Sequence, residues 1–203
     1  MRTYLSLDFD YWRGEWKAHG KKNIIQLIKR ARKRDIPITA VMNHQQMLRE
    51  INELTADRLV NVDEHADISD AGVDVLNCGT WVSYVRWRRG AEYLWIRNSR
   101  GSSLGDCNGS GPHWNSGHDW RRARSQYGGA KLDLLSYLRG CVGIGLCLSP
   151  EFSTGDMADF FRDIVSEFDI PYRKGRNDEC NLARTLKPPF RGDKFLPRKT
   201  GKK

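Results

Sequence analysis

Asp63, His65 and Asp67 stand at every second position in Asn61-Val62-Asp63-Glu64-His65-Ala66-Asp67-Ile68. All three are side-chain types able to ligate a metal. On an extended backbone, alternate residues project to one face, so the spacing aims two carboxylates and one imidazole at a single point. The residues before them, Arg58-Leu59-Val60-Asn61-Val62, read as a short buried strand. A second pair, Asp8 and Asp10, ends the apolar run Tyr4-Leu5-Ser6-Leu7-Asp8-Phe9-Asp10. Carboxylates at the exit of a buried strand must be paired or metal-bound, because an isolated charge is too costly to desolvate. Four aspartates and a histidine delivered by two strand ends point to a metal centre holding two ions.

The elements that would position these groups alternate along the chain. Residues 4–9 read as a strand, and Gly20 to Arg34 as an amphipathic helix with Ile24, Leu27, Ile28 and Ala31 on one face. A second strand runs from Pro37 to Met42, a helix from Gln45 to Leu54, and a third strand from Leu59 to Val62. Thr80 to Arg88 reads as helical, Tyr93 to Arg97 as a strand, Val142 to Leu148 as another buried strand and Gly155 to Phe168 as a helix. Strands alternating with helices imply an α/β three-layer sandwich, a mostly parallel sheet flanked by helices. Ligands of such sheets bind beyond the carboxyl ends of the strands. Asp8, Asp10, Asp63 and Asp67 fall there, and so does His44, two residues after the second strand in Val41-Met42-Asn43-His44-Gln45-Gln46. Three strands thus present metal-type ligands at one edge.

Residues 98–129 lose periodicity and fill with Gly, Ser, Asn and Arg. A loop of that length in a compact domain is functional or disordered, and it is read here as a lid. Residues 1–188 are expected to form one domain and residues 189–203 a basic flexible tail.

With 29% charged and 39% hydrophobic residues, the composition is that of a soluble globular chain. No apolar run approaches the ~20 residues that span a bilayer, and the chain enters its first strand without a signal-peptide pattern. The five cysteines, 78, 107, 141, 147 and 180, show no CxxC spacing, and Cys141 and Cys147 read as reduced core residues. A cytoplasmic protein without a membrane partner is the expectation. The net charge of +9 comes partly from the tail and partly from Lys29-Arg30-Ala31-Arg32-Lys33-Arg34. It reads either as a patch for an acidic partner or nucleic acid or as a solvated helix end, where cations suit the dipole.

Asp63-Glu64-His65-Ala66-Asp67 resembles the DxHxD motif of the arginase/deacetylase superfamily. It is most similar to the peptide arginase-like family, which pairs that motif with a strand followed by a "DHQ"-like segment, here Asn43-His44-Gln45-Gln46. Asn77 to Tyr84, followed by Tyr93-Leu94-Trp95-Ile96, resembles the family's next helix–strand unit, and Leu148-Ser149-Pro150-Glu151-Phe152 its late "SPE" segment. The resemblance covers roughly residues 1–155. In arginases the DxD strand follows DxHxD. Here Asp8-Phe9-Asp10 comes first, which reads as a circular permutation of strand order, tolerable in a parallel sheet.

The resemblance implies that His44, Asp63, Asp67 and Asp8 hold one ion. His65, Asp63, Asp8 and Asp10 would hold the other, with Asp63 and Asp8 bridging. It points to two Mn²⁺ ions, and oxygen-rich ligation with a minority of imidazole suits Mn²⁺ over zinc. The implied reaction is hydrolysis of the guanidinium of an arginine side chain in a peptide or protein, giving ornithine and urea. A guanidinium needs a carboxylate with two coplanar oxygens, and Glu151, after the strand Val142–Leu148, is the candidate; a first-turn helix acid is the equal alternative. The leaving amine needs a proton, and His19, His113 and His118 are the remaining histidines. His113 and His118 lie in the long loop, where a lid would carry a proton shuttle. Competing readings are a deacetylase-like enzyme or small-molecule ureohydrolase on the same fold, and a metal-dependent nuclease or nucleic-acid-binding protein using the basic surface.

Overall fold

The computed structural model describes residues 1–12, 14–68, 76, 78–85, 90–98, 123–129 and 132–173. The expected tail 189–203 lies outside them. Seven strands form one sheet: β1 (Thr3–Asp8), β2 (Ile38–Val41), β3 (Arg58–Val62), β4 (Glu92–Arg97), β5 (Ala123–Tyr127), β6 (Cys141–Cys147) and β7 (Tyr172–Arg173). Their order is β5-β4-β3-β1-β6-β2-β7, and every pairing is parallel. Among the described residues, three α-helices accompany them: α1 (Lys17–Arg32), α2 (Leu48–Leu54) and α3 (Gly155–Glu167). The α/β class and the three layers agree with the alternation of elements in the sequence.

Side-chain alternation along the strands sorts the core into two faces. Leu5 and Leu7 of β1, Val60 and Val62 of β3, Leu94 and Ile96 of β4, and Ile144 and Leu146 of β6 pack with the apolar stripes of α1 and α3. Tyr4, Leu59, Tyr93, Trp95 and Cys147, one residue out of phase, pack with Met47, Leu48 and Ile51 on the opposite face. The buried positions of α1, Gly20, Ile24, Leu27, Ile28 and Ala31, follow the 3.6-residue period that marks it in the sequence. Asp35 ends the helix in a left-handed conformation, φ 53°, and the Ile36 amide returns to the Ala31 carbonyl at 3.1 Å.

The face carrying α2 is thin where β6 passes under it. A Cβ on Gly145 would stand 2.4 Å from the Met47 sulfur and 2.8 Å from the Tyr4 hydroxyl. One on Gly143 would stand 2.7 Å from Leu54 Cδ1 and 2.9 Å from the Tyr4 ring. The two glycines therefore admit Tyr4, Met47 and Leu54 directly onto the backbone of a central strand.

Three expectations need correction, and one strand was not anticipated. The aperiodic stretch 98–129 contains β5, which pairs with β4. An edge strand exposed along most of its length has no buried face to write an apolar alternation into its sequence. β7, at the other edge, is two residues long, too short for any period. The helix expected from Gln45 begins as a 3-10 turn, His44–Met47, before α2 takes over. The helix expected over Thr80–Arg88 is a 3-10 turn at Trp81–Tyr84, with residues 86–89 outside the described set.

Candidate metal centre

The carboxyl ends of β1, β2 and β3 deliver the candidate ligands to one side of the sheet. Asp8 is the last residue of β1. Its carboxylate accepts a hydrogen bond from the Asp10 amide at 3.2 Å, an Asx turn that starts the 3-10 turn Phe9–Tyr11. Asp63 follows β3 and does the same, accepting from the His65 amide at 2.8 Å. In both motifs the first aspartate folds the chain back over its own side chain, so the next ligand two residues on is carried past it.

His44 is set by a capping box at the end of β2. Gln46 Oε1 accepts from the amides of Met42 at 3.0 Å and Asn43 at 3.2 Å, while the Asn43 side chain accepts from the Gln46 backbone. The segment 63–67 is held by β4: Trp95 Nε1 donates to the Asp63 carbonyl at 3.0 Å and the Tyr93 hydroxyl to the Ala66 carbonyl at 2.6 Å. Asp67 sits in a left-handed conformation, φ 54°.

Two adjoining clusters result. In the inner one, His44 Nδ1 lies 3.4 Å from Asp8 Oδ2, 3.3 Å from Asp63 Oδ2 and 3.1 Å from Asp67 Oδ2. All four residues are buried. In the outer one, His65 Nδ1 lies 3.5 Å from Asp10 Oδ2 and 3.7 Å from Asp63 Oδ1. The His65 side chain is 49% exposed and meets the Phe152 ring, itself exposed, at 5.2 Å. Asp63 belongs to both clusters, one oxygen to each.

All six expected metal ligands are thus brought together. The alternation argument placed Asp63 and Asp67 correctly, facing one histidine. It did not place His65, which faces the other cluster, because β3 ends at Val62 and the following residues turn. Cys147, read from the sequence as a core thiol, is a free buried cysteine whose sulfur lies within 4.8 Å of a donor atom of Asp8 and of His44. Ser149 and Trp81 were not singled out for the site. The Ser149 hydroxyl donates to Asp8 Oδ2, and Trp81 Nε1 donates to Asp67 Oδ2 at 2.6 Å. Their signal in the sequence was slight: a serine after a strand and a tryptophan in a weak helical pattern.

Burial of this much acid has electrostatic consequences. The Asp8 carboxyl is pushed well above its usual range, first by burial and then by the charges of Asp10 and Asp63. Asp63 is raised likewise, by burial and then by Asp67 and Asp10, and Asp67 is raised to about 7, chiefly by burial. His65 is raised to about 11, held protonated first by Asp10 and then by Asp63. Burial first, and then the neighbouring carboxylates, thus favour the neutral forms of Asp8, Asp63 and Asp67 in the metal-free chain. Buried His44 Nε2 has no hydrogen-bond partner. Acidic oxygens beside two imidazoles are donors that suit a divalent cation, and these residues would fit one.

Glu151 is exposed, two residues beyond Ser149. The half-buried Cys78 thiol is raised by burial first and then by Asp67, Glu151 and Asp8, so Glu151 lies within electrostatic reach of the same thiol as the ligand carboxylates. His19 is exposed on α1 and joins neither cluster. His113 and His118 lie outside the described residues.

Compared with known proteins, the chain matches no family model, no curated protein and no solved structure. Among the described residues, no helix is long and apolar enough to cross a membrane.

Proposed function

We propose that the chain is a binuclear manganese hydrolase that attacks the guanidinium of an arginine side chain in a peptide, giving ornithine and urea. The observation that carries the reading is the division of Asp63 between two histidine-containing clusters, the arrangement expected of a carboxylate shared by two ions. A pair of divalent ions supplies Lewis-acid activation of water at neutral pH. Asp8, His44 and Asp67 complete the inner position, and Asp10 and His65 the outer one.

Two features of the protein's surface support the rest. His65 and Phe152 are exposed beside the outer cluster, whose Asp10 and Asp63 are buried, so a peptide would reach the centre from the His65 side. Glu151 at the rim offers a carboxylate to take a guanidinium through two parallel hydrogen bonds. The resemblance of the DxHxD and His-Gln segments to the peptide arginase-like family selects arginine among the possible C–N substrates.

Elemental analysis of the chain after reconstitution with Mn²⁺, followed by assay of ornithine and urea from an arginine-containing peptide, tests the reading. About two ions per chain and release of both products are expected. A chain that takes up no metal would sink it, and two ions without product would move the reaction to another C–N bond.

A further inference from the structure

Trp81 is fully buried and touches two candidate ligands that come from different strands. Its indole N–H donates to Asp67 Oδ2 at 2.6 Å. Its ring stacks on the His44 imidazole, centroids 5.1 Å apart and planes 27° from parallel. The Asp67 carbonyl also accepts from the Val82 amide at 3.1 Å, so the 3-10 turn Trp81–Tyr84 grips Asp67 at both backbone and side chain. Asp67 has to be gripped, because its left-handed backbone, φ 54°, is strained for a residue other than glycine.

The two contacts do different things. The indole N–H occupies a lone pair on the same Asp67 oxygen that faces His44, fixing the carboxylate's rotation and leaving its other oxygen's lone pairs uncommitted by this bond. The stacked ring fixes the plane of the imidazole, and hence the direction of both ring nitrogens. A neutral donor serves this better than a cation would, because it orients the carboxylate without neutralising the charge that an ion has to meet. Trp81 makes no hydrogen bond or ring contact with Asp10 or His65, so whatever it does should fall on the inner cluster alone.

We infer that Trp81 is a positioning residue that orients Asp67 and His44 for the inner ion of the centre. This rests on the metal reading above and extends it to a residue outside the ligand set. Outer hydrogen-bond partners of metal ligands are worth about 10–100-fold in metal affinity, and that is the effect expected here.

The experiment is a Mn²⁺ titration of the full chain followed by electron paramagnetic resonance of the free ion, comparing the parent with Trp81→Phe. The phenylalanine keeps an aromatic ring beside His44 but loses the N–H together with part of the indole's buried volume. The parent should bind two classes of ion, and Trp81→Phe should bind one class about 10–100-fold more weakly while the other is unchanged. Far-ultraviolet circular dichroism of the metal-free proteins checks the fold, and Asp67→Asn supplies the second arm. If Trp81 acts through Asp67, adding Trp81→Phe to Asp67→Asn should weaken binding by less than it does alone. Equal weakening in both backgrounds, or no change in either class, overturns the inference while leaving the metal centre standing. A parent that binds no Mn²⁺ overturns both.

Discussion

His44 Nδ1 and Asp63 Oδ2 lie 3.3 Å apart, although the strands that carry them, β2 and β3, are separated in the sheet by β6 and β1. Three interstrand steps amount to roughly 14 Å. The gap is closed by the chain beyond each strand. His44 is carried inward by the capped turn after β2 and Asp63 by the Asx turn after β3, and they meet above the end of β1, where Asp8 stands.

Asp63→Asn should abolish binding of both ions. The amide keeps the size of the carboxylate but donates where the ion needs an acceptor, and Asp63 serves both clusters. A loss greater than about 100-fold in Mn²⁺ affinity is expected, beyond what outer partners are worth. The metal-free variant should melt no lower than the parent, because the amide replaces a carboxyl whose ionisation burial and its acidic neighbours already disfavour. Calorimetric titration and thermal melts check both halves; retention of either ion at parental affinity would remove Asp63 from its shared role.

The metal-free chain should lose stability as the pH rises. Asp67, raised from 3.8 to about 7, holds its proton in the folded chain over a range where the unfolded chain has lost it. The folded state then binds more protons, so stability falls with increasing pH across that window. Asp8 and Asp63 are shifted in the same direction. His65, raised from 6.5 to about 11, contributes stability present below its unfolded value and lost as the pH climbs toward the folded one. Mn²⁺ should reverse the trend, since it binds the deprotonated groups. Melting temperatures of the chelator-treated and Mn²⁺-loaded protein between pH 4.5 and 8 should therefore diverge; a metal-free melting temperature that rises with pH would mean the carboxylates are already ionised and paired.

The candidate cluster was legible because acids and a histidine follow apolar strands, where burial leaves a carboxylate in need of a partner. Asp8, Asp10, His44, Asp63 and Asp67 meet beyond the strand ends as that reasoning expects, and the core faces of α1 and α3 follow their periodicity. What the sequence hid is local backbone direction. DxHxD looks like an alternating strand, but the side chain of Asp63 bonds the His65 amide and breaks the alternation, sending His65 to the outer cluster. Trp81 and Ser149 were illegible for another reason. Their partners, Asp67 and Asp8, are 14 and 141 residues away in sequence, and no spacing rule connects them. β5 and β7 were missed because edge strands carry little burial pattern.

Gly145→Ala should destabilise the fold by about 1–3 kcal/mol, the usual cost of overpacking a well-filled core. The new methyl would meet the Met47 sulfur at 2.4 Å and the Tyr4 hydroxyl at 2.8 Å. Met47 ends the turn that begins with His44, so displacing it should also lower metal affinity. Met47→Ala alongside Gly145→Ala makes room for the methyl. If the double variant is less destabilised than the sum of its parts, the clash is the cause, and simple additivity would remove it; denaturant unfolding measures the coupling.

Ser149→Ala separates orientation of Asp8 from its charge. The Ser149 hydroxyl donates to Asp8 Oδ2, the same oxygen that faces His44, and it also lies 3.3 Å from the Cys147 sulfur. Ser149 holds φ 46°, an expensive conformation for a serine, supported by its amide bond to the Met42 carbonyl at 2.9 Å and by the Phe152 and Ser153 amides on its own carbonyl. Alanine keeps that strain and loses the hydroxyl, whereas glycine relieves the strain and loses the hydroxyl. If the hydroxyl matters to the centre, both variants should bind Mn²⁺ about 10–100-fold more weakly, while Ser149→Gly should be the more stable of the two by about 1 kcal/mol. Parental affinity in both variants would reduce Ser149 to a turn residue and leave Asp8 to be oriented by the Asp10 amide alone.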